Sequence, residues 1–413
     1  METILLKKVQ QRFDSTRIDD IETAVIDELL TSDLKIKPGA RIAIATGSRG
    51  VSNIAIIVRT VAKYLKSLGA SPFIIPAMGS HGGATATGQR EVLESYGVTE
   101  SYCGIPIQSS MEVVELPQGD LKNKVFMDKY AYLSDGVIVI NRIKPHTDFH
   151  GPLESGLMKM CVIGLGKHKQ ALAIHRFGVY GLRELITPTA QQVLKTGKII
   201  LGIGLVENAY DETMIIRAVK PDVMEEEEKK LLNIARNHMP SLPVKKLDIL
   251  IVDQMGKDIS GVGIDTNIIG RIAIKGESDS ATPDITTIIA TDLTEASHGN
   301  ALGMGLADII TKKLYNKIEF QATYENVITS TFLERGKMPI VAKTDLQALQ
   351  YSLRTSGPIA VKDARIIRIK NTLHLGEMYV SKPVWDEIST DDSIEELSDY
   401  VPLMEADKSF ISF

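Results

Sequence analysis

The sequence predicts an α/β protein, built as two α/β domains with an active-site cleft between them. Three observations carry that expectation. Apolar strand-like runs alternate with stretches of helical periodicity in both halves of the chain. Several of those runs lead directly into loops rich in glycine or histidine, the position where open α/β sheets bind ligands. The segment PSLPVKKL, Pro240 to Leu247, reads as a linker, which divides the chain into an N-terminal catalytic domain over 1–243 and a second domain over 244–413.

Composition narrows the class. The 413 residues are ample for sizeable cores, and 44% hydrophobic with 24% charged residues is the balance of an ordinary globular protein. A net charge of −5 gives no support to a nucleic-acid or anionic-membrane partner. Two cysteines cannot build a disulfide framework or supply the four thiolates of an iron–sulfur cluster. The N-terminal METILLKKVQQRF lacks the apolar core of a signal peptide, and no apolar run approaches the roughly 20 residues that span a bilayer. The expectation is a cytoplasmic protein acting on a small molecule, with a homo-oligomer open to it.

Taken in order, Ile18 to Leu34 has helical character, and Arg41 to Ala45 alternates like a strand. A glycine-serine loop with Arg49 at its apex follows, then a helix over Ile54 to Leu68 that Ser52 or Asn53 can cap. The unit repeats: a strand at Pro72 to Ile75, the loop GSHGGAT with His81, and a helix from about Thr87 to Ser95. A buried-strand run, Gly136 to Asn141, delivers the chain to NRIKPHTDFHGPLESGLMKMCVIGLGKHKQALAIH, which holds His146, His150, His168 and His175 around Lys159. Beyond it come a helix over Leu182 to Leu194, a strand over Lys198 to Asn208, and a helix over Pro221 to His238 whose Glu225 to Glu228 run reads as a solvated face. The second domain opens with the strand LDILIVD and the loop QMGKDISGVGID. A loop and helix over Glu295 to Leu314, containing His298, comes later.

The central residues admit three chemistries. His146 and His150 have i, i+4 spacing, but Pro145 and Gly151 bracket them and no H-E-x-x-H zinc motif is present. Lys159 lies among Leu157, Met158 and Met160, where desolvation suits a Schiff-base lysine. Otherwise the lysine belongs to an amphipathic helix and the histidines are ordinary loop donors.

The combined pattern resembles the nickel-dependent lactate racemases and their 2-hydroxyacid racemase and epimerase relatives. The matching residues are Arg49 in TGSRG, His81 in GSHGGAT, His146 in KPHTDFHG, Lys159 in ESGLMKM, and His175 sixteen positions further on. The resemblance implies a nickel-pincer nucleotide tethered through Lys159, with nickel held by His175. It further implies Thr46, Ser48, Ser155 and Gly156 around that cofactor, Arg49 and Lys257 on the substrate carboxylate, and His81 and His146 as the catalytic imidazoles. The chain departs from the family in three places. TGSR replaces the usual aspartate before the arginine, the His146–Lys159 segment is longer, and the Tyr-Gln-x-x-Lys pattern is absent from the second domain. The implied activity is racemisation or epimerisation of a 2-hydroxyacid. The competing readings are a Schiff-base lyase or aldolase using Lys159, and a non-catalytic nucleotide-binding or cofactor-binding protein.

Overall fold

The structure is a computed structural model that describes residues 3–48 and 50–413. It is α/β throughout and divides into two compact units. One is Asp14–Met239. The other is Pro240–Phe413 together with the N-terminal segment through Phe13. The strand β1 (Leu5–Gln11), which the sequence placed in the first domain, belongs to the second unit because it pairs antiparallel with Glu377–Ser381, Leu6 opposite Ser381.

The Asp14–Met239 unit is organised by a five-stranded sheet. Its strands are β2 (Arg41–Thr46), β3 (Ser71–Pro76), β6 (Gly136–Arg142), β7 (Ile199–Glu207) and β8 (Thr213–Val219), with a separate hairpin of β4 (Val113–Leu116) and β5 (Val125–Asp128). The sheet order is β3-β2-β6-β7-β8, parallel except for β8. The chain leaves β2 toward β3 on one side and later returns as β6 on the other. This makes a topological switch point between β2 and β6. Registers there are level: Thr46 lies opposite Pro76 on one side and Ile140 on the other, so three loops emerge side by side.

Helices cover this sheet for the reason the sequence suggested. Ile54, Ile57, Val58, Val61, Ala62 and Leu65 recur at helical spacing on Ile54–Ser67 and are buried with Ile42, Ile44, Ile74 and Ile138 in one core. Asn53 occupies the cap position with φ +60, but its side chain caps nothing. It donates to Thr213 Oγ1 (3.0 Å), and Ser52 is held through its own backbone N–H. The acidic run also differs from expectation. Glu225, Glu226 and Glu227 reach solvent, whereas Glu228 is fully buried on the same helix, Met224–Asn237, among Met224, Leu231, Leu232 and Ala235.

The second unit has its own sheet, ordered β12-β11-β10-β9-β13-β14-β1-β15 with β16 beside β1. Its strands are β9 (Lys246–Met255), β10 (Asp284–Leu293), β11 (Ile309–Thr311), β12 (Ile340–Ala342), β13 (Ile366–Ile369), β14 (Glu377–Ser381), β15 (Ile394–Glu396) and β16 (Val401–Pro402). The stretch Glu295 to Leu314, expected as a loop and helix, holds two single turns, the strand β11 and the start of a short helix, Lys312–Asn316.

A buried ion pair ties the site-bearing parts of the first unit together. Lys167, at φ +56, and Asp128 at the end of β5 are both fully buried, with Nζ 3.2 Å from Oδ2. Burial pushes the carboxyl up and the ammonium down, each offset in part by the other. Lys167 also donates to the Pro76 carbonyl and to Gln89 Oε1 (3.3 Å), and Gln89 Nε2 donates to Gly79 O at 2.8 Å in the loop that carries His81. Asp128→Ala strands a buried ammonium and is expected to cost about 3–5 kcal/mol in urea unfolding. The double variant Asp128→Ala/Lys167→Met is expected to recover most of that loss, and equal destabilisation of the two proteins would contradict the pairing.

Candidate functional site

The three level strand ends deliver three loops, and buried polar side chains hold each of them. After β2, Gly47 packs so tightly that a Cβ there would lie 2.7 Å from Asn141 Oδ1 and 3.2 Å from Met160 Cε. The Ser52 N–H donates to Glu207 Oε1 at 2.7 Å, and Glu207 is paired in turn with Arg142. Thr46, expected at the cofactor, is fully buried, and its hydroxyl has no hydrogen-bond partner among the described residues. Arg49 lies outside the described residues.

The loop after β3 brings His81 to Ser48, with Oγ and Nδ1 2.5 Å apart. Gln89 reaches back to the carbonyls of Gly79 and His81, at 2.8 and 3.3 Å, and fixes the turn.

The loop after β6 is braced by Glu154, which is 1% exposed. Its carboxylate accepts the backbone N–H of His146 (2.5 Å) and of Gly151 (3.1 Å), and Arg236 lies at 2.6 Å. Burial alone would raise the Glu154 carboxyl. Donation from His150, the His146 amide, Arg236 and the Gly151 amide outweighs burial and holds it below the usual range. His146 stacks on Phe149 with ring centroids 4.8 Å apart. Its Nδ1 accepts the Asp148 N–H at 3.0 Å, and its Nε2 meets Lys159 Nζ.

Lys159 closes a short helical turn, Leu157–Lys159, that runs on into a wider turn over Met160–Gly164. Asn141 Nδ2 holds the Gly156 carbonyl at 3.0 Å, and Glu228 Oε2 accepts the Met158 N–H at 2.7 Å. The helix Lys167–His175 ends in His175. Burial first, and then the charge of nearby Lys159, lower the pKa of this imidazole, with Asp148 acting the other way. His175 is thus a neutral nitrogen donor beside Lys159.

The structure therefore pairs Ser48 with His81, and His146 with Lys159 beside His175, on loops that leave neighbouring strand ends of the sheet. Ser155 exchanges backbone hydrogen bonds with Lys144 (3.0 and 3.2 Å), and Gly156 gives room to the buried Glu228, so both act through the backbone. His150 is exposed, 3.5 Å from Glu154, and His168 is half-buried on the helix of His175. Lys257 and His298 belong to the second unit. Lys257 Nζ donates there to Gly261 O (2.5 Å) and Asn326 Oδ1 (2.9 Å), while His298 is exposed at φ +47.

Sequence reasoning missed the buried carboxylates Glu154, Glu207 and Glu228 and the Asp128–Lys167 pair. Only Glu228 left a trace in the pattern: it falls on the apolar stripe of its helix, four residues after Met224 and three before Leu231.

Among the described residues no three of His, Cys, Asp and Glu come together to hold a metal ion. A metal on His175 would need its other ligands from a non-protein group. The neutral His175 imidazole beside Lys159 would suit an organic group that brings its own metal ligands.

No family model matches the chain, and no curated protein matches it by sequence. Solved structures do share its fold. The lactate racemase apoprotein from Thermoanaerobacterium thermosaccharolyticum is similar with TM-score 0.52 and 15% identity, over 89% of this chain and 98% of that one. A protein from Thermotoga maritima is similar with TM-score 0.50 and 11% identity, over 76% and 82%. The protein thus has a lactate-racemase-like α/β fold. No described helix is long and apolar enough to cross a membrane.

The buried carboxylate at position 228 generates a test. Burial pushes its pKa up to about 7, opposed in part by the Met158 and Leu157 N–H groups. A carboxyl raised in the folded state contributes stability that is complete below about pH 4.5 and is lost as pH rises through about 7. That loss is on the order of 3 kcal/mol by the linkage relation. Glu228→Gln should remove this component from the pH dependence of urea unfolding. An unchanged profile would refute the burial assignment.

Proposed function

We propose that this protein is a racemase or epimerase of a 2-hydroxyacid that carries a nickel-pincer nucleotide on Lys159. The supporting observation is the grouping of His146 with Lys159 and a neutral His175, on a loop next to that of His81, at the switch point of a lactate-racemase-like sheet.

Inverting a 2-hydroxyacid at Cα requires breaking a C–H bond whose proton is very weakly acidic beside a carboxylate. When bound, the cofactor supplies an electrophilic carbon that accepts this hydrogen with its electron pair, avoiding a carbanion. The chain's own residues manage the hydroxyl proton. One imidazole takes it from one enantiomer, and the other returns a proton to the carbonyl oxygen from the opposite side. The hydrogen bonds suit two unlike histidines. His146 is fixed through Nδ1 by a backbone N–H with Nε2 toward Lys159, and Ser48 holds the Nδ1 edge of His81 so that its Nε2 faces away from the serine. His175, kept neutral, offers a nitrogen to nickel. Thr46, Ser48, Ser155 and Gly156 border the cofactor. Arg49 and Lys257 take the substrate carboxylate, the arginine in a bidentate clamp.

The test uses protein made in a host that synthesises the cofactor. Intact mass is expected to show a covalent adduct, nickel analysis about one metal per chain, and polarimetry the racemisation of a short 2-hydroxyacid. Lys159→Ala should lose the added mass and all turnover. His81→Ala and His146→Ala should keep the mass while slowing racemisation by about 10²–10⁴-fold. A borohydride-trapped substrate adduct on Lys159 would replace this reading with the Schiff-base lyase or aldolase. Reversible nucleotide binding without turnover would leave a binding protein.

A further inference from the structure

We propose that Glu228 is a positioning residue for Lys159, fixing the helical turn that carries the lysine by accepting its leading backbone N–H groups. The proposal rests on Lys159 being the functional lysine, and on geometry. A helical turn that starts at Leu157 leaves its first N–H groups without intrahelical partners. Glu228 Oε2 accepts the Met158 N–H at 2.7 Å, and the Leu157 N–H also donates to the carboxylate. The other oxygen, Oε1, is buried with no hydrogen-bond partner. It lies where any side chain at position 156 would be, 2.2 Å from a Cβ built on Gly156. Helix Met224–Asn237 and segment 156–158 are therefore matched to each other, a missing side chain on one facing a carboxylate on the other.

Packing alone does not explain the carboxylate. Its neighbours along the helix stripe are apolar, and a methionine would fill that place without the cost of desolvating a charge. The titratable groups bearing on Glu228 are Glu225, one turn earlier on the same helix, and Cys161 on the segment beyond Lys159, and neither is a cation. What the carboxylate gains is the pair of amides at the head of the turn. Asn141 holds the Gly156 carbonyl at the same point, so the backbone before Lys159 is gripped from both sides. Lys159 leaves this clamped turn to meet His146.

The experiment uses the full chain without cofactor, labelled with ¹³Cε-lysine and ¹⁵N, comparing wild type, Glu228→Gln and Glu228→Met. The Lys159 signal is the one lost in Lys159→Arg. Glu228→Gln retains a carbonyl oxygen for the Met158 N–H, so the Lys159 and Met158 signals should stay within a linewidth of wild type. Glu228→Met conserves bulk but accepts no hydrogen bond. It should move Lys159 by about half or more of its separation from the exposed-lysine cluster, with Tm unchanged or higher. Between pH 5.5 and 8.5 the Met158 amide should titrate in wild type and not in Glu228→Gln. A Glu228→Met protein with Lys159 and Met158 unmoved overturns the proposal. If that variant does not fold, displacement of Lys159 in Glu228→Gln, or persistence of the Met158 titration there, overturns it equally. No cofactor or substrate enters the measurement, so failure of the nickel assignment would leave the role of Glu228 separately decided.

Discussion

Level parallel strand ends make a site possible, but they leave loop backbone with donors that must find acceptors away from water. In this protein buried carboxylates answer that need. Glu207 takes the Ser52 amide after β2, Glu154 takes the amides of His146 and Gly151 after β6, and Glu228 takes the amide ahead of Lys159. The loop after β3 uses the inverse device, a buried lysine donating to the Pro76 carbonyl, with Asp128 as counter-charge. Each brace acts on main chain, so the loop's side chains remain directed by backbone that cannot drift. An unpaired buried donor or acceptor costs about 1–3 kcal/mol, so each brace also discourages alternative loop conformations.

The same logic sets the electrostatics of the cluster. His146 is committed through Nδ1 to a backbone donor, which leaves its other nitrogen as the working atom. His81 is held from the Ser48 side. His175 is kept neutral by burial and by the lysine beside it. Three histidines within one region thus stand in three environments, and the differences come from neighbours one or two residues away in space.

The strand–loop–helix repeats were legible because apolar periodicity is a direct image of burial. Ile54 to Leu65 and the Gly136 to Asn141 run say in sequence where they lie in the core. The loop positions were legible too, since β2, β3 and β6 are parallel neighbours and release their loops at one end of the sheet. The braces were not. Glu154 and Glu207 sit in ordinary polar surroundings in the sequence, and their partners are backbone amides, which every residue has. Lys167 is one lysine in GLGKHK, and nothing local marks it as buried against Asp128, thirty-nine positions earlier in the chain. Glu228 was misread because three of the four acidic residues in its run do face solvent. Glu295 to Leu314 was misread because its apolar residues belong to single turns and the three-residue strand β11, too short for a period to register.

The position of β1 has a consequence for how the chain assembles. Leu5–Gln11 is hydrogen-bonded to Glu377–Ser381, Ile394–Glu396 and Val401–Pro402, yet the whole Asp14–Met239 unit lies between it and the rest of its sheet. In topological terms the first unit is an insertion inside the second. On the ribosome, β1 emerges long before its partners, and it must stay unpaired while more than three hundred and sixty residues follow it. The inserted unit faces no such delay, because its own sheet is complete once β8 has emerged. Vectorial synthesis therefore favours an order in which the lysine-bearing unit matures first and β1 joins its partners in 377–402 afterwards.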